Sequence, residues 1–128
     1  MKRMLVSSGS PYEPTIGFSR AVRVGPHIAV SGTGPVAAEG GTAGVGDAYA
    51  QAKRCLEIIK AAIEEAGGDI SHVTRTRMMI TDAAVWQDVA KAHGEMFTDI
   101  RPAATIVVVT GFVNPEWLVE IEADCIVE

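Results

Sequence analysis

Between Val119 and Val127 the chain alternates: Val119, Ile121, Ala123, Cys125 and Val127 fall on one side, Glu120, Glu122 and Asp124 on the other. Period two is the mark of a half-buried strand. The run before it, Thr105 to Val113, is apolar on both sides, and Asn114-Pro115-Glu116 separates the two as a turn. Upstream, Lys2 to Ser7 predicts a first strand, ended by a Ser-Gly-Ser-Pro cluster. Phe18 to Val24, Gly25-Pro26 and His27 to Ser31 predict a hairpin. Gly32 to Gly46, rich in glycine and small residues, is expected to be a loop and the most mobile part of the chain. The period then changes. Ala48, Ala52, Cys55, Leu56, Ile59, Ala62, Ile63 and Ala66 recur at helical spacing, with Asp47 as N-cap and Gly67-Gly68 as the stop. His72 to Thr81 predicts another strand, Thr76, Met78 and Ile80 on one face and Arg75, Arg77 and Met79 on the other. Asp82 is placed to cap a second helix, Ala83 to Thr98, with Val85, Trp86, Val89, His93, Met96 and Phe97 as its apolar stripe.

The order is β-ββ-α-β-α-β-β. Two helices with one apolar face each, interleaved with strands, predict an α+β fold: one mixed sheet with both helices packed on one face. Nothing divides the chain, so residues 1–128 are read as a single domain. The sheet's other face would carry Val107, Val109 and Val113. Such a face calls for a cover, most economically copies of the same chain in a closed ring.

Composition narrows the partners. Apolar residues make up 48% and charged residues 21%, ordinary for a globular protein. Eleven basic against sixteen acidic residues give −5, with no basic cluster, which argues against nucleic acid or anionic lipid. No run approaches a membrane span, and the N-terminal apolar run is too short for a signal sequence. Cys55 and Cys125 lack any metal-ligand or redox-motif spacing and read as reduced apolar side chains. A cytoplasmic protein is expected. His27, His72 and His93 are scattered over a hairpin, a strand start and a helix, so no metal site is expected, and His93 reads as a hydrogen-bonded core residue.

Five segments, taken in order, are familiar together: Val30-Ser31-Gly32-Thr33-Gly34-Pro35, the first helix pattern, Thr81-Asp82, Arg101-Pro102-Ala103-Ala104-Thr105 and Glu120-Ile121-Glu122-Ala123. They resemble the Rid (reactive intermediate deaminase, YjgF-like) family over about Ile16 to Val127. The resemblance implies a chorismate-mutase-like fold, a homotrimer and ligand clefts between subunits. It also implies hydrolysis of reactive enamines and imines without metal or cofactor. Carried over residue by residue, it makes Ser31 and Gly32 ligand-holding and Glu120 the water-orienting carboxylate. The arginine that clamps the substrate carboxylate falls at Ala104, and an expected tyrosine at Phe18. Alanine offers nothing in place of a bidentate guanidinium, so this chain resembles a member outside the standard deaminase branch. Arg20, Arg77 and Arg101 are the candidate replacements.

Each candidate has a plainer reading. Glu120 suits general acid–base work because Glu122 and Asp124 crowd it with like charge; the competing reading makes the row ion-pair partners of Arg75 or Arg77, Arg75 above all. Ser31 lacks a nucleophile-elbow setting and is expected to orient a ligand, not to attack one. Gly32 and Gly34 would expose amides to an anion. Trp86 is expected to pack under its helix and Trp117 to lie at a subunit edge. The functional alternatives are an enamine/imine hydrolase, a trimeric ligand-binding or regulatory protein that has lost the chemistry, and, disfavoured by charge, a ribonuclease.

Overall fold

Asp47 accepts a hydrogen bond from the backbone N of Ala50 at 3.0 Å and starts helix α1, Ala48–Glu65. Such a cap contributes about 1 kcal/mol. The rest of the structure, a computed structural model that describes residues 2–128, is built on this helix. The strands are β1 (Arg3–Val6), β2 (Ala21–Val24), β3 (His27–Thr33), β4 (Val73–Ile80), β5 (Ala103–Val108) and β6 (Val119–Ile126); the second helix, α2, spans Trp86–Phe97. A one-turn π segment, Glu13–Gly17, bridges β1 and β2. The sheet runs β1-β2-β3-β6-β4-β5, so the last strand is inserted at the centre. β4 and β5 are parallel, joined through α2, and every other pairing is antiparallel.

Both helices cover one face. Leu56, Ile59 and Ile63 of α1 and Val89 and Phe97 of α2 are buried against Ile28, Val30, Met78, Ile80, Val119 and Ile121. Each large side chain removed from water there contributes roughly 1.5–3 kcal/mol. The alternation of β6 is as expected: Val119, Ile121, Ala123 and Cys125 are buried, and the acids point to the open face.

Several expectations are refined or corrected. The doubly apolar strand stops at Val108, because β4 ends at Ile80 and offers no partner beyond the bond from Val109 N to Ile80 O. Gly32 and Thr33 belong to β3, so the expected loop begins at Gly34; within it Val36 bridges Thr42, Ala43 N donates to Pro35 O, and Arg54 Nε holds Val36 O at 2.7 Å. Asp82 caps a 3₁₀ turn, Ala83–Val85, and not α2 itself. That change of helical phase leaves Trp86 50% exposed instead of packed, and Ala92 takes a place in the buried stripe. Trp117 is partly buried, with its ring against Gly34. Finally, the register sets Arg75 beside Asp124 and Arg77 beside Glu122, yet among the described residues it is the Arg77 side chain that reaches both carboxylates.

Candidate functional site

The site begins with a parity break in β3. Ile28, Val30 and Thr33 are all buried, although 30 and 33 cannot share a face of a regular strand. The register explains it. Val30 pairs with Ala123 and Thr33 with Ile121, so Ser31 and Gly32 together oppose one residue of β6. This is a β-bulge, a device common beside active sites because it re-aims the chain. The Ser31-Gly32 pair is the bulge.

Gly32 faces Glu120. A Cβ on Gly32 would stand 3.0 Å from Glu120 Oε1, so the absence of a side chain is what lets the carboxylate lie there. Gly34 has a different reason for being glycine. Its missing Cβ would sit 2.2 Å from Trp117 Cζ3, so the indole, and not an anion, occupies the space expected to be open. The indole Nε1 is enclosed without a hydrogen-bond partner among the described residues.

The acids of β6 have unequal fates. Arg77 Nη1 reaches Glu122 Oε1 at 3.0 Å and Asp124 Oδ2 at 3.4 Å. Glu120 stands opposite Met79, and among the described residues no donor hydrogen-bonds its half-buried carboxylate. Burial pushes its pKa up; Arg20 pulls it partly back, and Glu122 adds a further push upward. A carboxylate in that condition is suited to take and return a proton.

Arg20 is the arginine that the fold brings here. Its Nη1 donates to Gly32 O at 2.8 Å and to Thr33 Oγ1 at 3.0 Å, and its guanidinium lies 5.5 Å from the Phe18 ring centroid. Behind it, Glu13 is nearly enclosed and accepts from both Ser8 N and Ser8 Oγ, which hold its pKa below the usual range. Ser31 donates its hydroxyl hydrogen to Ser19 O at 2.6 Å, leaving its oxygen as an acceptor only. Phe18, Ser31, Gly32 and Glu120 therefore come together, with Arg20.

Arg77, Arg101 and Ala104 do not join them within one chain. Arg77 is tied to Glu122 and Asp124. Ala104 stands level with Thr76 while Glu120 stands level with Met79 and Val107. That is about 10 Å along the strands and roughly 10 Å across them. Arg101 is farther still, at φ 57° in the turn before β5.

Two of the histidines serve structure. His72 Nδ1 accepts from Asp69 N, and His93 Nε2 meets Thr76 Oγ1 at 2.8 Å and packs on Phe97. No group of three potential metal ligands forms among the described residues. Cys55 is buried with its thiol pushed far above the ordinary range, first by burial and then by Glu120, so it is no nucleophile. One residue escaped sequence reading. Gln51, fully buried, takes Leu118 N on its Oε1 at 2.7 Å and donates to Glu116 O and Gly44 O, fixing the turn that leads to Glu120. Its signal was a polar side chain in phase with the apolar stripe, three residues after Ala48 and four before Cys55.

A mixed sheet in this order, with two helices on one face and a bulge opposite a central carboxylate, is the chorismate-mutase-like fold. The sequence model of the family described as Endoribonuclease L-PSP matches residues 9–127. The chain belongs to this family, also called YjgF or Rid. It is 39% identical over 120 residues to an uncharacterized protein of Streptomyces coelicolor, covering 93% of this chain and 88% of that one. It is 32% identical to the 3-aminoacrylate deaminase RutC of Acinetobacter baylyi, covering 94% of each. A crystal structure of a YjgF/YER057c/UK114-family protein from Mycobacterium tuberculosis superposes with a TM-score of 0.89 at 40% identity, over 98% of this chain and all of the other (100%). Among the described residues no helix is long and apolar enough to cross a membrane.

Proposed function

We propose that this chain is an enamine/imine hydrolase, a deaminase of small reactive metabolites that works in the cytoplasm, without metal or cofactor, in clefts between the subunits of a homotrimer. The observation that carries the reading is Glu120: a half-buried carboxylate, raised in pKa by burial, facing a residue without a side chain and unclaimed by any described donor. In the reaction Glu120 takes a proton from water as the water oxygen bonds to the imine carbon and the C=N π pair moves to nitrogen. It then returns that proton to the nitrogen, giving a carbinolamine; Glu120 next carries the hydroxyl proton to the same nitrogen as the C–N bond breaks and the O–H pair closes the C=O, so that ammonia and a carbonyl compound leave. An enamine first gains a proton at carbon and loses one from nitrogen to give the imine. Ser31 supplies an acceptor, and Gly32 supplies room for close approach. The likeness to a 3-aminoacrylate deaminase supports the reaction class.

The separation of Ala104 from Glu120 within one chain supports a shared cleft, in which position 104 of one subunit meets Glu120 of another. Without a guanidinium at 104, an uncharged or differently charged imine fits better than an imino acid held by its carboxylate. The open sheet face supports the trimer. Val107 is 45% exposed there, and Val107→Lys is expected to dissociate or aggregate the assembly by placing a charge in a dry interface. A monomeric wild-type protein in light scattering would sink the trimer. Semicarbazide trapping with several amino-acid-derived imines tests the chemistry; no acceleration over buffer rejects it.

Ala104 also favours a second reading, a trimeric binding or regulatory protein that kept the cleft and lost turnover. It predicts a metabolite that raises Tm, about 2.7 kcal/mol of stabilisation at a hundredfold excess over Kd, with no product formed. Ribonuclease action has less support, because the unpaired Glu120 and a net charge of −5 both repel phosphate.

A further inference from the structure

We infer that Arg20 is the positioning residue of the Glu120 site, locking the Ser31–Gly32 bulge so that Gly32 and the carboxylate stay face to face. The inference rests on the reading of Glu120 as the functional carboxylate, but not on any turnover. Arg20 grips the bulge at both ends and from both its backbone and its side chain. Its backbone N donates to Val6 O, fixing it to β1, and its carbonyl takes Ser31 N at 2.9 Å. Its Nη1 then reaches past Ser31 to Gly32 O and Thr33 Oγ1, while Thr33 Oγ1 donates back to Ser31 O at 2.7 Å. The two residues that depart from the β6 register, Ser31 and Gly32, are thus bracketed by one residue, through its carbonyl and its side chain.

A bulge leaves its extra residue outside the ladder, so these bonds replace what the sheet cannot supply. The guanidinium is itself braced, by the Phe18 ring and by the field of Glu13. Around Glu120 the charged and titratable groups are Arg20 from the lead into β2, Glu122 on β6 and Cys55 on α1. Arg20 alone among them favours the ionised carboxylate. No ion pair within 4.0 Å joins the two, so Arg20 acts on Glu120 through the bulge and through its field. The same residue sets where the carboxylate sits and how readily it holds its proton.

The test uses full-length protein carrying ¹³C-carboxyl glutamate and ¹⁵N amides, with Glu120 assigned by Glu120→Gln. Arg20→Met is expected to raise the Glu120 titration midpoint and to move the Gly32 and Thr33 amide signals. Arg20→Lys, which keeps the charge but loses the fork, is expected to restore the midpoint while leaving those amides displaced. A midpoint unmoved in a folded Arg20→Met protein overturns the inference. Should Arg20→Met not fold, Arg20→Lys decides alone: displaced Gly32 and Thr33 amides uphold it, and amides at wild-type positions overturn it. Because no substrate is used, an inactive protein leaves the result just as readable.

Discussion

The two ends of the acidic row on β6 carry the same kind of side chain on the same face, yet one end is settled and the other is not. At the Glu122–Asp124 end, arginines stand opposite in the register, Arg77 beside Glu122 and Arg75 beside Asp124, and Arg77 claims both carboxylates. At the Glu120 end, Met79 stands opposite, and a glycine lies where a partner would otherwise be. Register alone made the difference: two residues along β4 separate an arginine from a methionine. The lesson is that a row of acids is neither a site nor an ion-pair network as a whole. Each position takes its character from the residue across from it.

The largest effect expected from breaking this contrast is on turnover. Glu120→Gln should lower kcat/KM for an imine substrate about 10²–10⁴-fold, while Glu122→Gln stays within a few-fold of wild type; equal losses would erase the distinction. Next in size, Gly34→Ala should destabilise the protein by about 1–3 kcal/mol, because the new methyl overlaps the Trp117 ring. Urea denaturation measures it, and an unchanged midpoint would mean that the indole moves freely. Arg77→Met should cost at most about 1 kcal/mol, since the pairs it makes are nearly half exposed.

The finest discriminator is pH. Burial raises the folded-state pKa of Glu120 above its unfolded value, so the stability it contributes is full below about pH 4.5 and is lost as pH rises through the folded pKa. Glu120→Gln should therefore be more stable than wild type at neutral pH, with the advantage fading toward pH 4. Chemical denaturation across that range checks it, and the absence of any neutral-pH gain would place the carboxylate in bulk water.

Much of this was legible where the cause is local. Asp47 caps its helix through a bond three residues away, and the alternation of β6 needs only its own side chains. What was not legible depends on a neighbour distant in sequence. The end of β5 is set by where β4 runs out, the link from Arg77 to both Glu122 and Asp124 by the packing of β4 beside β6, and the place of the Trp117 ring by Gly34, far off in the chain. The bulge left a trace, since Val30 and Thr33 break the alternation, but only a strand known to continue past Ser31 makes that break meaningful. Glu120, Ser31, Gly32 and Phe18 were picked from the sequence and do converge. Arg101 and Ala104 lie at the other end of the sheet, where only a second subunit could bring them to bear.

The stacking of Trp117 on Gly34 also equips the molecule with its own optical gauge. One indole is partly buried with its Nε1 enclosed, just after the strand that carries the bulge, and the other, Trp86, is half in solvent. In a Trp86→Phe background the remaining emission would come from Trp117 alone, and its colour would follow the state of that wall without any label.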